Sequence, residues 1–229
     1  MPRKPNVAID GPAGSGKSTV ARMLAQRIGY LYIDTGAMYR AVTYFALKKG
    51  INLDDDQELT SLAKKMKFSL VRNLHDGIVT LWCDGEDVSP YLRARDVSEA
   101  VSRVAEVAGV REHLVKCQRN LARIGGVIME GRDIGSVVLP DAEYKFFLTA
   151  SIDVRVERRR KELEAANKTI SREELYREMT YRDEMDSKRK IGPLVIPADA
   201  VVIDSTTLTI EQVIEKMIEI CGGGLRSVL

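Results

Sequence analysis

The segment from Gly11 to Thr19, read as Gly11-Pro12-Ala13-Gly14-Ser15-Gly16-Lys17-Ser18-Thr19, constrains this chain more than any other. Glycines at 11 and 16 followed by Lys17 and Ser18 come directly after an apolar run and open a helical pattern, the setting that a phosphate-binding loop needs. Glycines let the backbone wrap closely round a polyphosphate with successive amides pointing inward. The helix that follows adds positive potential at its N-terminus, and Lys17 brings a full charge to the β and γ oxygens. Ser18 stands where a hydroxyl would ligate Mg2+ directly, and all nine residues are candidate contacts to a nucleoside triphosphate.

Strand, loop and helix in that order belong in an α/β fold, and the rest of the chain agrees. Short apolar runs at Val7 to Ile9, Leu31 to Ile33, Val127 to Met129, Lys145 to Leu148 and Ala200 to Ile203 alternate with helical stretches. This pattern predicts a five-stranded parallel sheet with helices on both faces. Phe68 to Arg72 and Ile78 to Cys83 depart from it: they flank a turn at His75, Asp76 and Gly77, and Asp84-Gly85 is a two-residue hairpin signal. A small antiparallel insertion is expected there, over about residues 63–103. In DVSEAVSRVAEV, Asp96 and Glu99 have capping-box spacing and predict a helix start. Two further helices are expected after the fourth strand. One runs from Ile152 to about Ala166 with Ser151 as N-cap, and one opens with a Ser171 and Glu174 capping box and ends near Gly192-Pro193. A last amphipathic helix spans IEQVIEKMIEI.

At 229 residues the chain suits a single domain carrying an insertion, and its 45% hydrophobic and 30% charged composition is that of a globular protein. No apolar stretch is long enough to cross a bilayer. The start, MPRKPNVAID, lacks the apolar run and cleavage site of a secretory signal, so the cytoplasm is the expected location. Cys83, Cys117 and Cys221 are too far apart for a disulfide framework or zinc site and are expected to be reduced. With 35 basic against 33 acidic residues, a net charge of +2 gives no global drive toward nucleic acid.

A triphosphate cradle alone fits several reactions. The guanine-reading tetrad is absent, since Asn167-Lys168-Thr169 leads to Ile170 rather than Asp. Glu130, at the end of the third strand, could hold the water shell of the magnesium, and Arg132 and Asp133 follow at once. Phosphoryl transfer between two anions needs cations between them, and Arg40 and Arg132 both follow strands at the edge of the sheet where doubly wound folds bind ligands. Arg182, Asp186 and Arg189 are spaced for one helix face, as are Arg155, Arg158 and Arg159 on the preceding helix; both are candidate phosphate clamps. On exposed helices such arginines can equally be solvated and paired with nearby glutamates. The loop Asp204 to Thr206 is a candidate contact to the adenine.

Taken together, GPAGSGKST, DTGAMYRA, EDVS, GRDIG, FLTAS, RDEMDSKRKIGPL and DSTTL resemble the bacterial cytidylate kinases, within the nucleoside monophosphate kinases, over nearly the whole length. The resemblance implies a five-stranded parallel core, a nucleotide-binding insertion more sheet-like than in adenylate kinases, and a short lid over about residues 153–170. It implies ATP with Mg2+ as donor and CMP or dCMP as acceptor. Carried over by position, Thr35, Arg40, Arg132 and Arg189 would contact the acceptor phosphate, Arg182 and Asp186 the sugar, and Ser102, Arg111 and Asp133 the cytosine ring. Arg155, Arg158 and Arg159 match the lid region and would bring cations onto the ATP phosphates. Lys17, Arg40, Arg132 and Arg189 would carry catalysis. The chain is expected to act as a monomer on two small substrates, without nucleic acid or membrane. Open alternatives are a kinase for another acceptor, such as UMP or dTMP, and a nucleic-acid-binding protein with a phosphate loop, which the basic clusters at 155–161 and 188–190 would suit.

Overall fold

The computed structural model describes residues 3–72, 79–165 and 170–222. The expected turn at His75, Asp76 and Gly77, the residue Ile78 and the Asn167-Lys168-Thr169 segment lie outside the described residues. The chain forms two compact units: Asp34–Arg123, and the remaining described residues before and after it.

The first unit is built on five strands, β1 (Val7–Asp10), β2 (Leu31–Asp34), β6 (Val127–Gly131), β7 (Tyr144–Thr149) and β8 (Val201–Asp204), in the order β2-β6-β1-β7-β8. The pairs β1 with β6, β1 with β7 and β7 with β8 run parallel, with Ile9 opposite Glu130 and Phe146. Every residue of β1 and β6 is buried, which explains why these strands read as continuous apolar runs: neither face meets water. Val7, Ile9, Ile128, Phe146 and Leu148 form one core with Val20 and Leu24 of α1 (Lys17–Ile28) and with Val213, Ile214 and Met217 of α8 (Ile210–Ile220). α6 (Ile152–Ala165) and α7 (Arg172–Lys188) share a smaller cluster of Val156, Leu175 and Met179.

The second unit carries α2 (Thr35–Lys48), α3 (Asp56–Lys65), α4 (Arg95–Glu106) and α5 (Ala108–Ala122) with an antiparallel sheet in the order β3-β4-β5, formed by Phe68–Arg72, Val79–Cys83 and Glu86–Asp87. The expected insertion lies within this unit. Asp84 and Gly85 both take positive φ, 51° and 85°, the backbone that a two-residue hairpin turn demands and that Gly supplies without strain. Ala41, Val42, Leu59, Leu81, Val101, Val104 and Leu114 fill its core.

Several local expectations differ from the structure. The Asp96 and Glu99 capping box does not form, because α4 already begins at Arg95; Ala94 is its N-cap, and Asp96 accepts from the adjacent Val97 amide at 2.8 Å. α7 ends at Lys188, short of Gly192, so Arg189 is its C-cap residue rather than part of the helix face. α5 is separated from α4 by Val107 alone, which is extended, 1% exposed, and terminates one helix while opening the next. Periodicity passes over such a break, since the apolar positions continue across it. Ser151 and Ser171 do cap their helices, accepting from Val154 at 3.4 Å and Glu174 at 3.1 Å. No helix among the described residues is long and apolar enough to cross a membrane.

Candidate active site

The loop after β1 has a shape that its glycines make possible. A Cβ on Gly11 would lie 2.0 Å from the Leu148 carbonyl oxygen, so only glycine lets the loop leave the sheet beside β7. Gly16 has φ +90° and caps the N-terminus of α1. Lys17, Ser18 and Thr19 form the first turn of that helix. The Lys17 ammonium is 5% exposed and donates to Pro12 O at 2.9 Å, which turns it back over the loop. Burial, then the neighbouring charges of Arg132 and Arg182, push its pKa down to about 7 against the opposing pull of Glu130 and Asp186. A lysine so depressed is a cation short of anionic partners, which is what an anion-binding cradle offers its ligand.

Ser18 Oγ donates to Glu130 Oε1 at 2.6 Å, and the Tyr32 hydroxyl reaches the same oxygen at 3.2 Å. A hydroxyl and a buried carboxylate, both hard oxygen donors, beside a phosphate loop fit Mg2+, which takes few protein ligands and completes its shell with water and phosphate oxygens. Glu130 lies in β6, within hydrogen-bond reach of Ser18. Tyr32 was not among the expected residues.

Behind the loop, Asp10 at the end of β1 is 1% exposed and accepts from the amides of Ile134 and Gly135 at 2.7 and 2.8 Å. These amides open a short π-helical turn, Ile134–Val138, so Asp10 fixes the backbone that follows Arg132 and Asp133. Asp133 is itself 5% exposed. Arg132 Nε donates to Asp186 Oδ2 at 2.7 Å, and Arg189 Nη1 lies 3.7 Å from Asp186 Oδ1 while its Nη2 donates to Gly192 O at 2.5 Å. Burial resists the Arg132 charge, but Asp186 more than offsets it and raises the pKa of the guanidinium. Burial likewise resists the Asp186 charge, and Arg132, Arg182 and Arg189 hold its carboxyl below the usual range. Arg132, Arg182, Asp186 and Arg189 thus form one cationic cluster that Lys17 also senses.

In the second unit, Asp34 caps α2 by accepting from Ala37 N at 2.9 Å and pairs with Arg40 Nη2 at 2.6 Å, while Thr35 is 3% exposed. Gly36 packs closely under this pair, as a Cβ there would come within 3.0 Å of Arg40 Nη1 and 3.1 Å of Asp34 Oδ1. Arg111 is 2% exposed, donates to Ala105 O at 3.2 Å, and lays its guanidinium 5.5 Å from the centre of the Tyr39 ring. Ser102 is partly buried on α4. The expected site residues therefore fall into two sets: Asp133 stands with the phosphate loop, and Thr35, Arg40, Ser102 and Arg111 stand in the second unit.

The three arginines of α6 differ from one another. Arg159 pairs with Glu162 on the surface, Arg158 donates to Ser15 O at 3.2 Å and Ser205 O at 2.8 Å, and Arg155 is buried against the loop. Ser205 Oγ also lies 3.1 Å from Ser15 O, so the loop after β8 braces the cradle. Asp10, Asp34 and Tyr39 escaped the sequence reading, while Ser205, in the loop read as a candidate adenine contact, braces the phosphate loop instead. Asp34 and Tyr39 had a signal, their place in DTGAMYR.

The cytidylate kinase family profile matches residues 7–222. A cytidylate kinase of Pelotomaculum thermopropionicum is 50% identical over 97% of this chain and 98% of its own length. A bifunctional pantoate ligase/cytidylate kinase of Synechococcus sp. (strain JA-2-3B'a(2-13)) is 48% identical over 95% of this chain, which spans 40% of that longer protein. Among solved structures, an uncharacterised protein of Eubacterium ventriosum superposes with a TM-score of 0.51 at 12% identity over 96% of this chain and 99% of that one, a likeness of fold alone. With this profile, these relatives and a cradle of this geometry, the chain belongs to the cytidylate kinase family.

Proposed function

We propose that this protein transfers the γ-phosphoryl group of ATP, bound with Mg2+, to CMP or dCMP, giving ADP and CDP or dCDP. The observation that carries the reading is Lys17: it is buried over the phosphate loop, and its charge is disfavoured by Arg132 and Arg182, which belong to a second cationic cluster. One anion alone would not call for both groups; two phosphorylated substrates would.

The acceptor phosphate is already largely ionised at neutral pH, so no side chain has to remove a proton from it. Its oxygen attacks the γ-phosphorus in line, the bond to the ADP bridging oxygen breaks, and the protein contributes position and charge. Residues Gly11 to Thr19 hold the triphosphate. Ser18 directly, and Glu130 through water, would hold Mg2+, which would supply positive charge against the phosphate oxygens. Arg132, Arg189 and Arg40 with Thr35 take the acceptor phosphate, and Arg182 and Asp186 the sugar. Asp133 accepts from the exocyclic amine of cytosine, while Arg111 and Ser102 complete the reading of the ring. Uracil would set a carbonyl against the Asp133 carboxylate and leave buried groups unpaired, which disfavours UMP. The protein acts as a monomer in the cytoplasm under this reading.

Lys17→Ala tests the cradle. Loss of a cation at the transferring phosphoryl group should lower kcat for CMP phosphorylation by about 100-fold or more with the thermal unfolding midpoint little changed. Near-normal turnover would show that the loop does not hold the donor.

A further inference from the structure

The side chain of Arg155 is only 8% exposed, and its Nε and Nη1 donors are turned toward protein. Nε donates to Ala150 O at 3.0 Å; Nη1 donates to Ala13 O at 3.1 Å and to Asp183 Oδ2 at 2.6 Å. One guanidinium therefore ties together the end of β7, the phosphate loop and the middle of α7. The packing is close, since a Cβ on Gly14 would meet Met179 Cε at 2.9 Å and the Arg155 Cβ and carbonyl oxygen at 3.2 Å. In a planar trans peptide the carbonyl and the following N–H point opposite ways. Holding Ala13 O toward α6 thus aims the Gly14 amide away from it, and Arg158 on Ser15 O does the same for the Gly16 amide. The Asp183 carboxylate also offsets much of the charge that Arg155 could offer to a phosphate.

We propose that Arg155 and its counter-ion Asp183 are positioning residues: together they hold the phosphate loop in its anion-accepting shape, and Arg155 acts through the Ala13 carbonyl rather than by touching the triphosphate. The proposal rests on the reading of the loop as the ATP cradle. The two possible roles of Arg155 make opposite demands on Asp183. If Arg155 contacted phosphate, removing the nearby carboxylate would strengthen nucleotide binding or leave it unchanged. If the pair shapes the loop, removing the carboxylate releases the guanidinium and weakens binding.

The test is a calorimetric titration of the full chain with Mg2+ and a nonhydrolysable ATP analogue. Arg155→Met should weaken binding about tenfold, the scale of losing a charge-assisted hydrogen bond, and Arg155→Lys should recover part of the loss. Asp183→Asn should weaken binding in the same direction, and the double variant should be no worse than Arg155→Met alone. Unchanged or tighter binding by Asp183→Asn, or additive losses in the double variant, would overturn the proposal. Should Arg155→Met fail to fold, the sign of the Asp183→Asn effect decides alone. Lys17→Ala in the same titration keeps the underlying reading separate: full affinity there would discard the cradle itself, whatever Asp183 does.

Discussion

Asp10 shows how one residue can serve a site at a cost to the fold. Its carboxyl is raised to about 6 from 3.8, first by burial and also by Asp133, with the Gly135 and Ile134 amides and Lys17 pulling the other way. The folded chain therefore holds a proton here that the unfolded chain has lost. The stability this group confers is fully present below about pH 4 and is lost as the pH rises through 6, a loss of roughly 3 kcal/mol at neutral pH. Asp10→Asn removes the titration. Unfolding in urea between about pH 4 and pH 7 should find wild type losing stability relative to the variant by roughly that amount as pH rises. A difference that stays constant with pH would contradict this environment for Asp10. The fixed backbone after Arg132 and Asp133 is what the cost secures. Lys17 is a parallel case, its charge disfavoured first by burial, and a bound triphosphate would favour that charge.

At the scale of elements, α8 is held by a device that its periodicity does not reveal. Thr209 accepts from Gln212 N at 3.2 Å while Gln212 Oε1 accepts from Thr209 N at 2.9 Å, a reciprocal capping box. Thr209→Ala should lower stability by about 1 kcal/mol in urea unfolding, and an unchanged midpoint would show that the helix needs no such cap. The elements that sequence revealed share a physical reason. β1 and β6 were legible because a strand buried on both faces must be apolar throughout, and the turn at Asp84-Gly85 because positive φ selects its residues. The break at Val107 was not legible, since both helices present apolar residues to the same core. Likewise the phosphate loop is a local motif that can be read by spacing, whereas the clamp from Asp10 to Ile134 and Gly135 joins residues more than a hundred positions apart. Arg155, Arg158 and Arg159 look equivalent in sequence; only tertiary structure separates the buried brace from the surface ion pair.

At the scale of the whole molecule, each of the two units has its own core, and the residues proposed for the reaction are divided between them. The phosphate loop, the proposed magnesium ligands Ser18 and Glu130 and the cluster around Asp186 belong to the unit built on the parallel sheet. Arg40, Thr35, Ser102 and Arg111 belong to the unit with the antiparallel sheet, where Asp34 and Ala105 hold the two arginines in place. Under the proposed function, the donor chemistry rests on residues of one unit, and the residues proposed to read the acceptor base are Asp133 of that unit and Ser102 and Arg111 of the other. The most direct measurement is the steady-state kcat/KM with ATP and Mg2+ for CMP, dCMP and UMP as acceptors. CMP and dCMP should be phosphorylated, with UMP disfavoured by about 100-fold because its carbonyl faces a buried carboxylate. Equal values for CMP and UMP would contradict the assignment of Asp133, and no transfer to any of the three would contradict the account as a whole.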